Sequence, residues 1–194
     1  MRNPETTRQK ILEISAEEIH QHGYTGASLS VILNRSEISK GALYHHFANK
    51  QALGYAVLEE VFTPMFIESW QQALQSGDPI AGMCRLLAEM AENADSDDLS
   101  CGCPMNNLSQ EMAAIDEGFR LRVFAMYQQL NHLIVAALAK IKRQLQPDLE
   151  LEQVAYFIIA SIQGAASLAK SSRCCQLFGN LLNELQNYIR GLRV

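Results

Sequence analysis

Apolar positions along the 194-residue chain recur at three- and four-residue intervals, the period of helices with one buried face, rather than alternating with polar ones as in a half-buried strand. The five prolines, at 4, 64, 79, 104 and 147, leave long uninterrupted tracts for such helices. The pattern predicts a first helix from Glu5 to Gly23, with Ile11, Leu12, Ser15 and Ile19 on its inner face and Gly23 as a left-handed stop. Thr25-Gly26-Ala27-Ser28 reads as a turn into a short second helix, which carries Leu29, Ile32 and Leu33 inward and breaks at Arg35-Ser36-Glu37. Ser39 caps a third helix, Lys40 to Phe47, and Asn49 caps a longer one to about Ser76 that Pro64 should kink or split.

Gly77-Asp78-Pro79 is the sharpest boundary: helix stop, N-cap and first-turn proline in succession. A helix to about Asn93 should follow, then a polar loop at Asp95-Ser96-Asp97-Asp98. Cys101-Gly102-Cys103-Pro104 introduces a short helix through Met112, Asp116 caps a long one to about Leu145, Pro147-Asp148 starts another through Lys170, and the last runs from about Cys174 to Leu192. The fold class is all-α.

The two short helices, Ser28 to Asn34 and Lys40 to Phe47, joined by a tight turn and braced by the first helix, have the layout of a helix-turn-helix. In that layout the second short helix enters the DNA major groove while the first crosses the backbone. Lys40 is placed to meet a phosphate or base edge, Gly41 permits close approach, and Tyr44, His45 and His46 present hydrogen-bonding groups. Lys50 and the start of its helix offer a further phosphate site.

Three strings carry a family resemblance: Thr7-Arg8-x-x-Ile11-Leu12, His22-Gly23-Tyr24-x-Gly26-Ala27-Ser28, and Ser39-Lys40-Gly41-Ala42-Leu43-Tyr44-His45-His46-Phe47-x-x-Lys50-x-x-Leu53. Over about residues 6 to 60 the chain resembles the DNA-binding domain of TetR-type transcriptional regulators. The resemblance implies a three-helix DNA-binding domain at 1–50, with its motif at about 28–47, and a larger helical domain at 51–194 that binds a ligand and dimerises. It implies that Lys40, Gly41, Tyr44 and His45 lie against DNA, Ser28 and Lys50 on phosphates, and Ala42 near a thymine methyl, with Leu43 and Phe47 in the core. Two positions depart from the family pattern. The turn has Ser36-Glu37 where a small residue and Gly are usual, so it is either strained or differently shaped, and Ile19 replaces an aromatic residue.

Beyond residue 60 the resemblance is one of architecture. It implies an inducer pocket and a dimer seam made by the last two long helices. Val154, Phe157, Ile158, Ile162, Ala165, Ala166 and Ala169 give one of them a broad apolar face around Gly164, and Leu177, Leu181, Leu182, Leu185 and Ile189 form a stripe on the other; burial within one subunit would use the same residues. Candidate pocket residues are Met65, Phe66, Trp70, Met83, Met90, Met105, Phe124 and Tyr127, adaptable or aromatic side chains that would serve equally as plain core. Cys101 and Cys103 stand just before a helix, where a thiolate is stabilised, although Asp97 and Asp98 oppose it. The stretch Gly102-Cys103-x-x-x-Asn107-Leu108-Ser109-x-Glu111 is similar to that of TetR-type regulators that respond to thiol-reactive compounds, which makes these cysteines candidate redox sensors.

Five cysteines without a regular spacing, and a polar start, point to a cytoplasmic chain with reduced thiols. The most apolar stretch, Val154 to Ala169, is interrupted by Gln163 and is short for a membrane span. No cofactor or metal is expected. Glu17-x-x-His20 supplies one half of a di-iron set, and His45-His46 and Cys101-x-Cys103 lack further zinc ligands at the usual spacings. No phosphate loop or nucleophile elbow is present, so an enzyme is not expected. The expected partners are a near-palindromic operator, a small-molecule inducer and a second copy of the chain. A ligand-binding or scaffolding protein without DNA affinity is the alternative.

Net charge is −5, which argues against bulk attraction to DNA. Its distribution changes the picture: residues 1–50 hold six Lys and Arg against five Asp and Glu, with four of the five histidines, whereas residues 51–194 hold ten against sixteen. The expected DNA contact is therefore small and sharply placed, and sensitive to salt.

Overall fold

The computed structural model describes residues 4–75, 77–94 and 101–194; the expected loop at Asp95–Asp98 lies outside them. Among these residues the structure is helical, apart from an isolated antiparallel bridge between Leu145 and Arg193. The helices are α1 (Pro4–Gly26), α2 (Leu29–Ser36), α3 (Lys40–His46), α4 (Lys50–Val57), a π-helical stretch (Leu58–Phe62), α5 (Thr63–Leu74), α6 (Pro79–Glu92), α7 (Pro104–Met112), α8 (Glu117–Lys140), a 3-10 turn (Lys142–Gln144), α9 (Leu151–Ser172) and α10 (Cys175–Arg190). They form two compact units, one of residues 1–65 with 104–124, the other of 66–103 with 125–194.

In the first unit α1 is the hub, packing on α2, α4 and α7. Its inner face is the expected one: Ile11, Leu12, Ser15 and Ile19 are all buried. Gly23 does adopt positive φ (76°), yet the helix kinks there and resumes for one more turn to Gly26. Ser39 and Asn49 cap α3 and α4 as expected, their side-chain oxygens accepting from Ala42 N–H (3.1 Å) and Ala52 N–H (2.7 Å). Ser28 precedes α2 without a capping bond; its hydroxyl lies 2.7 Å from that of Ser30. The span expected as one long fourth helix is divided into α4, the π-helical stretch and α5, with Pro64 the second residue of α5. The chain widens into the π-helical stretch one turn earlier, where Thr63 N–H reaches back to the Leu58 carbonyl, and so makes room for a residue that cannot donate.

Between α2 and α3, Glu37 takes the left-handed conformation (φ 56°, ψ 38°), closing α2 through N–H donation to Asn34 and Leu33 carbonyls. Ser36 is fully buried, its hydroxyl donating to the Ile32 carbonyl at 2.6 Å, so the turn demands a small residue there. Of the two shapes expected for the turn, it has the strained one. Glu37→Gly should therefore stabilise the protein by about 0.5–1 kcal/mol, the relief of an L-residue at positive φ less the entropy glycine adds to the unfolded chain. A urea midpoint that stays put or falls would show that the turn carries no such strain.

The second unit has its own core, in which α10 packs on α6 and α9. Asp78 caps α6, accepting from Ile80 and Ala81 N–H groups and binding Arg193 at 2.7 Å. α8 ends five residues before the expected Leu145, because residues 144–146 pair with the C-terminal end: Gln146 N–H donates to the Leu192 carbonyl and Val194 N–H to that of Gln144. Asp148 is left-handed (φ 66°), which delays α9 to Leu151. At 22 residues α9 is long and apolar enough to cross a membrane by length and composition, but Ala155, Ile158 and Ala169 are fully buried in the unit's core, as in a core helix.

Candidate nucleic-acid interface

α3 separates its residues by face. Leu43 and Phe47 are buried, as expected from the sequence, with the Arg8 guanidinium 5.0 Å over the Phe47 ring. On the other side Lys40, Gly41, Tyr44 and His45 are exposed and Ala42 is half-buried. Lys40 Nζ lies 5.9 Å from the centre of the Tyr44 ring, and the rings of His45 and His46 meet edge to face at 5.4 Å. A cation, a phenol and an imidazole thus share one solvent-facing surface on a helix with a glycine at its second position. This array can donate to phosphates and to base edges. Ser28 is half-buried.

Lys50 has a different environment. Its ammonium donates to the carbonyls of Thr25 (3.1 Å) and Ala27 (2.7 Å) and stands 5.0 Å over the Tyr24 ring, so it ties the start of α4 to the end of α1. Around this tie lies a polar and aromatic cluster that the sequence pattern did not single out. Glu111, on α7, accepts from the N–H groups of Tyr24 (2.8 Å) and Thr25 (2.7 Å). Burial opposes its ionisation, but Thr25, Tyr24 and the charge of Lys50 outweigh it and hold the carboxyl below its usual range. Asp116 accepts from the Tyr55 hydroxyl (2.6 Å), from Gln51 (2.6 Å) and from Phe119 N–H (2.9 Å), and these bonds lower its pKa. The last bond is the N-cap expected for the long helix. Phe119 packs between Tyr24 and Tyr55, ring centres 4.7 and 4.8 Å away, and Arg122 lies 4.0 Å over Tyr55. The available signal was Gly54 in mid-helix: a Cβ there would sit 2.6 Å from Tyr24 and 2.8 Å from Phe119.

A buried carboxylate, Glu18, also escaped the sequence reading; it accepts from Ser28 N–H at 3.2 Å. Glu17 pairs with Arg35 on the surface.

The candidate pocket residues are dispersed. Trp70 and Met83 are fully buried in the core of the second unit, Met90 and Tyr127 are partly buried against that core, and Phe66 is half-buried. Burial, and secondarily Cys103, push the Tyr127 phenol well above its usual pKa and keep it protonated. Met105, Met65 and Phe124 belong to the first unit, Met105 fully buried and the other two about half exposed. The second unit also bears a depression of about 420 Å³ along α8, lined by Ala125, Gln128, Gln129, His132 and Leu133, and one of about 250 Å³ at α5 and α6, where Gln72, Arg85 and Glu89 face it. Neither is lined by the expected residues.

Cys101 and Cys103 are half-buried thiols around Gly102 (φ 73°), immediately before α7, and none of the five cysteines forms a disulfide. On the last two helices Val154, Ile158, Ala165, Ala166, Ala169, Leu182, Leu185 and Ile189 are buried within the subunit, and Ile162, Leu177 and Leu181 are half-buried. Phe157 and Leu168 remain half exposed, with the Phe157 ring tilted 58° against that of Tyr188 at 4.7 Å between centres, and Gly164 has open space at its Cβ position.

A braced helix-turn-helix with a polar outward face on its second helix, joined in one chain to a separate helical unit, defines a DNA-binding regulator. Comparison with known proteins agrees. Residues 11–57 match the model of the tetR family of bacterial regulatory proteins, and residues 79–181 that of the C-terminal domain of LmrA/YxaF-like transcriptional regulators. The chain belongs to the TetR family of transcriptional regulators. It is 28% identical over 174 residues to the HTH-type transcriptional repressor DhaR of Mycobacterium sp. (strain GP1), covering 86% of this chain and 83% of that one. It is 29% identical over 174 residues to an uncharacterized HTH-type transcriptional regulator in the lacX 3' region of Lactococcus lactis, covering 87% and 85%. The crystal structure of reduced Escherichia coli NemR superposes with a TM-score of 0.81 at 27% identity, over 93% of this chain and 96% of that one. The protein is thus a DNA-binding transcriptional regulator and not an enzyme, and regulators of this family bind operator DNA as dimers.

Proposed function

We propose that the protein is a repressor that holds a near-palindromic operator as a homodimer and lets go when its second unit binds an inducer. The observation that carries this reading is the division of α3 into a buried side and an exposed polar side. Lys40, Gly41, Ala42, Tyr44 and His45 meet the major groove, and Ser28 meets a phosphate at its edge. Two such helices enter successive major grooves about 34–36 Å apart. The second copy docks on the Phe157, Gly164, Leu168 and Tyr188 surface, which the subunit itself leaves uncovered. Its DNA target places it in the cytoplasm. Lys50 acts as the tie from α4 to α1, with a phosphate contact secondary to it.

The inducer site centres on Trp70, Met83, Met90 and Tyr127, the candidate residues that share one core. For release to follow, the inducer must favour the conformation that does not bind DNA. Footprinting on the promoter region of the protein's own gene tests the reading. Two protected half-sites related by a two-fold axis are expected, whereas no binding at low salt, or one unpaired half-site, would contradict it.

A second trigger is favoured by the half-buried pair Cys101 and Cys103 next to α7, and by likeness to a protein whose structure is described by its redox state. Here a thiol-reactive compound modifies the pair and releases DNA. The variant with both cysteines replaced by serine should then stay on its operator when hydrogen peroxide strips the wild type; equal release of both proteins would leave only the small-molecule route.

A further inference from the structure

At residues 23–28 the first helix gives way to the helix-turn-helix. The kink at Gly23 removes regular helical partners there, so the backbone groups beyond it must find others. Each finds one. Tyr24 and Thr25 N–H donate to the two oxygens of Glu111, Ser28 N–H donates to Glu18, and the carbonyls of Thr25 and Ala27 accept from Lys50. Ala27 N–H returns to the Gly23 carbonyl at 3.0 Å. Among the side chains that hold the segment, Glu18 belongs to α1 itself and Lys50 opens α4, 25 residues beyond Thr25, whereas Glu111 is 86 residues beyond Thr25, on α7.

The Glu111 contact is built for position rather than for bulk cohesion. It is polar and half-buried, it is bidentate, and the backbone is pressed so close that a Cβ at Gly23 would stand 2.8 Å from Oε2. Charge-assisted bonds of this length weaken steeply with distance, so a displacement of α7 by about 1 Å would take both out of range. Apolar contacts tolerate such a slide far better. The next residues along the chain are the start of α2, so the pose of α2 and α3 inherits whatever happens at 24 and 25.

We propose that Glu111 is a positioning residue for operator binding: its carboxylate sets segment 23–28, and through it the DNA-reading face of α3, and withdrawal of α7 releases that face. The inference rests on the reading that α3 enters the groove. It gives α7 a definite mechanical role, and it assigns to the Asn107-Leu108-Ser109-x-Glu111 stretch a function separate from the thiols that precede it.

The test uses the full-length protein, its own promoter fragment and a non-operator duplex of equal length, at matched salt. Wild type must first bind the promoter fragment more tightly than the other duplex; if it does not, the reading of α3 fails and not this inference alone. Glu111→Ala should lose about tenfold or more in operator affinity while non-operator affinity stays within about twofold. Glu111→Gln, which keeps one carbonyl oxygen for one of the two N–H groups, should fall between. Hydrogen exchange at Tyr24 and Thr25 should quicken in both, with helix content and dimerisation as in the wild type. Operator affinity within twofold of wild type in Glu111→Ala overturns the proposal. So does an equal loss on both duplexes, or failure of both variants to fold, since either would make Glu111 a residue of general stability.

Discussion

Replacing Lys40 and Tyr44 together by alanine should weaken operator binding by about a hundredfold or more and leave the melting temperature where it was. Both side chains belong to the exposed face of α3, Tyr44 at 41% exposure, and the 5.9 Å approach of the ammonium to the phenol ring is their only close mutual contact. Removing them takes nothing from the core, which at this helix is Leu43 and Phe47. A side chain that reads a base edge is worth about 1–3 kcal/mol, and two losses near the lower end of that range already multiply to about a hundredfold. If Lys40 pairs with a phosphate, the dependence of log affinity on log salt should also become shallower by about one unit. Titration by fluorescence anisotropy at several salt concentrations reads both quantities. Affinity within threefold of the wild type would place DNA recognition elsewhere on the molecule.

Trp70→Ala carries the largest expected cost in stability. Trp70 is 1% exposed, in a core cluster that also holds Ile67, Met83, Leu87, Ile134 and Leu138. Truncating a fully packed indole removes its transfer energy and leaves a cavity that neighbours on fixed helices fill poorly, a cost of about 3–5 kcal/mol. Domain stabilities are about 5–15 kcal/mol in total, so the variant should be close to unfolding at physiological temperature. Urea denaturation followed by circular dichroism measures the loss. The outcome also bears on the inducer site. A cost of about 1 kcal/mol or less would mean that the indole borders space already open to a ligand, whereas the full cost assigns it to the core in the inducer-free state.

Much of the fold can be read directly from residue types. Ser39, Asn49, Asp78 and Asp116 each stand where a helix needs an acceptor, and each accepts from the N–H groups beyond it. Gly23, Gly77 and Gly102 all have positive φ. These are local matters, settled within a few residues of chain. The exposed side of α3 was equally legible, because the same periodicity that buries Leu43 and Phe47 turns Lys40, Tyr44 and His45 outward. Helix bounds depart from the sequence pattern where distant segments meet and where a non-glycine residue turns left-handed. The expected end of the long helix at Leu145 yielded to pairing with residues 192–194, and the expected start at Pro147 to the left-handed Asp148.

The candidate sites divide in the same way. Lys50 looks from the sequence like an open phosphate hook, and only the return of the chain past Thr25 and Ala27 turns its ammonium inward. The pocket candidates rest on side-chain type alone, and type does not say which helices face one another. Met65, Met105 and Phe124 fit the type yet belong to a different compact unit from Trp70 and Met83.

By itself, the sequence determined an all-helical chain, the caps and stops of most of its helices, the exposed polar face of α3 and the uneven spread of charge along its length. Each follows from periodicity or from chemistry acting over one or two helical turns. Tertiary structure alone decided the partners of Glu18, Lys50 and Glu111, the bonds from Gln51 and Tyr55 to Asp116, the aromatic packing of Tyr24, Tyr55 and Phe119, and which apolar residues the subunit keeps for itself. A charged or aromatic side chain has several chemically acceptable partners, and only the close approach of segments far apart in the chain, as with Tyr24 against Glu111 and Phe119, selects among them.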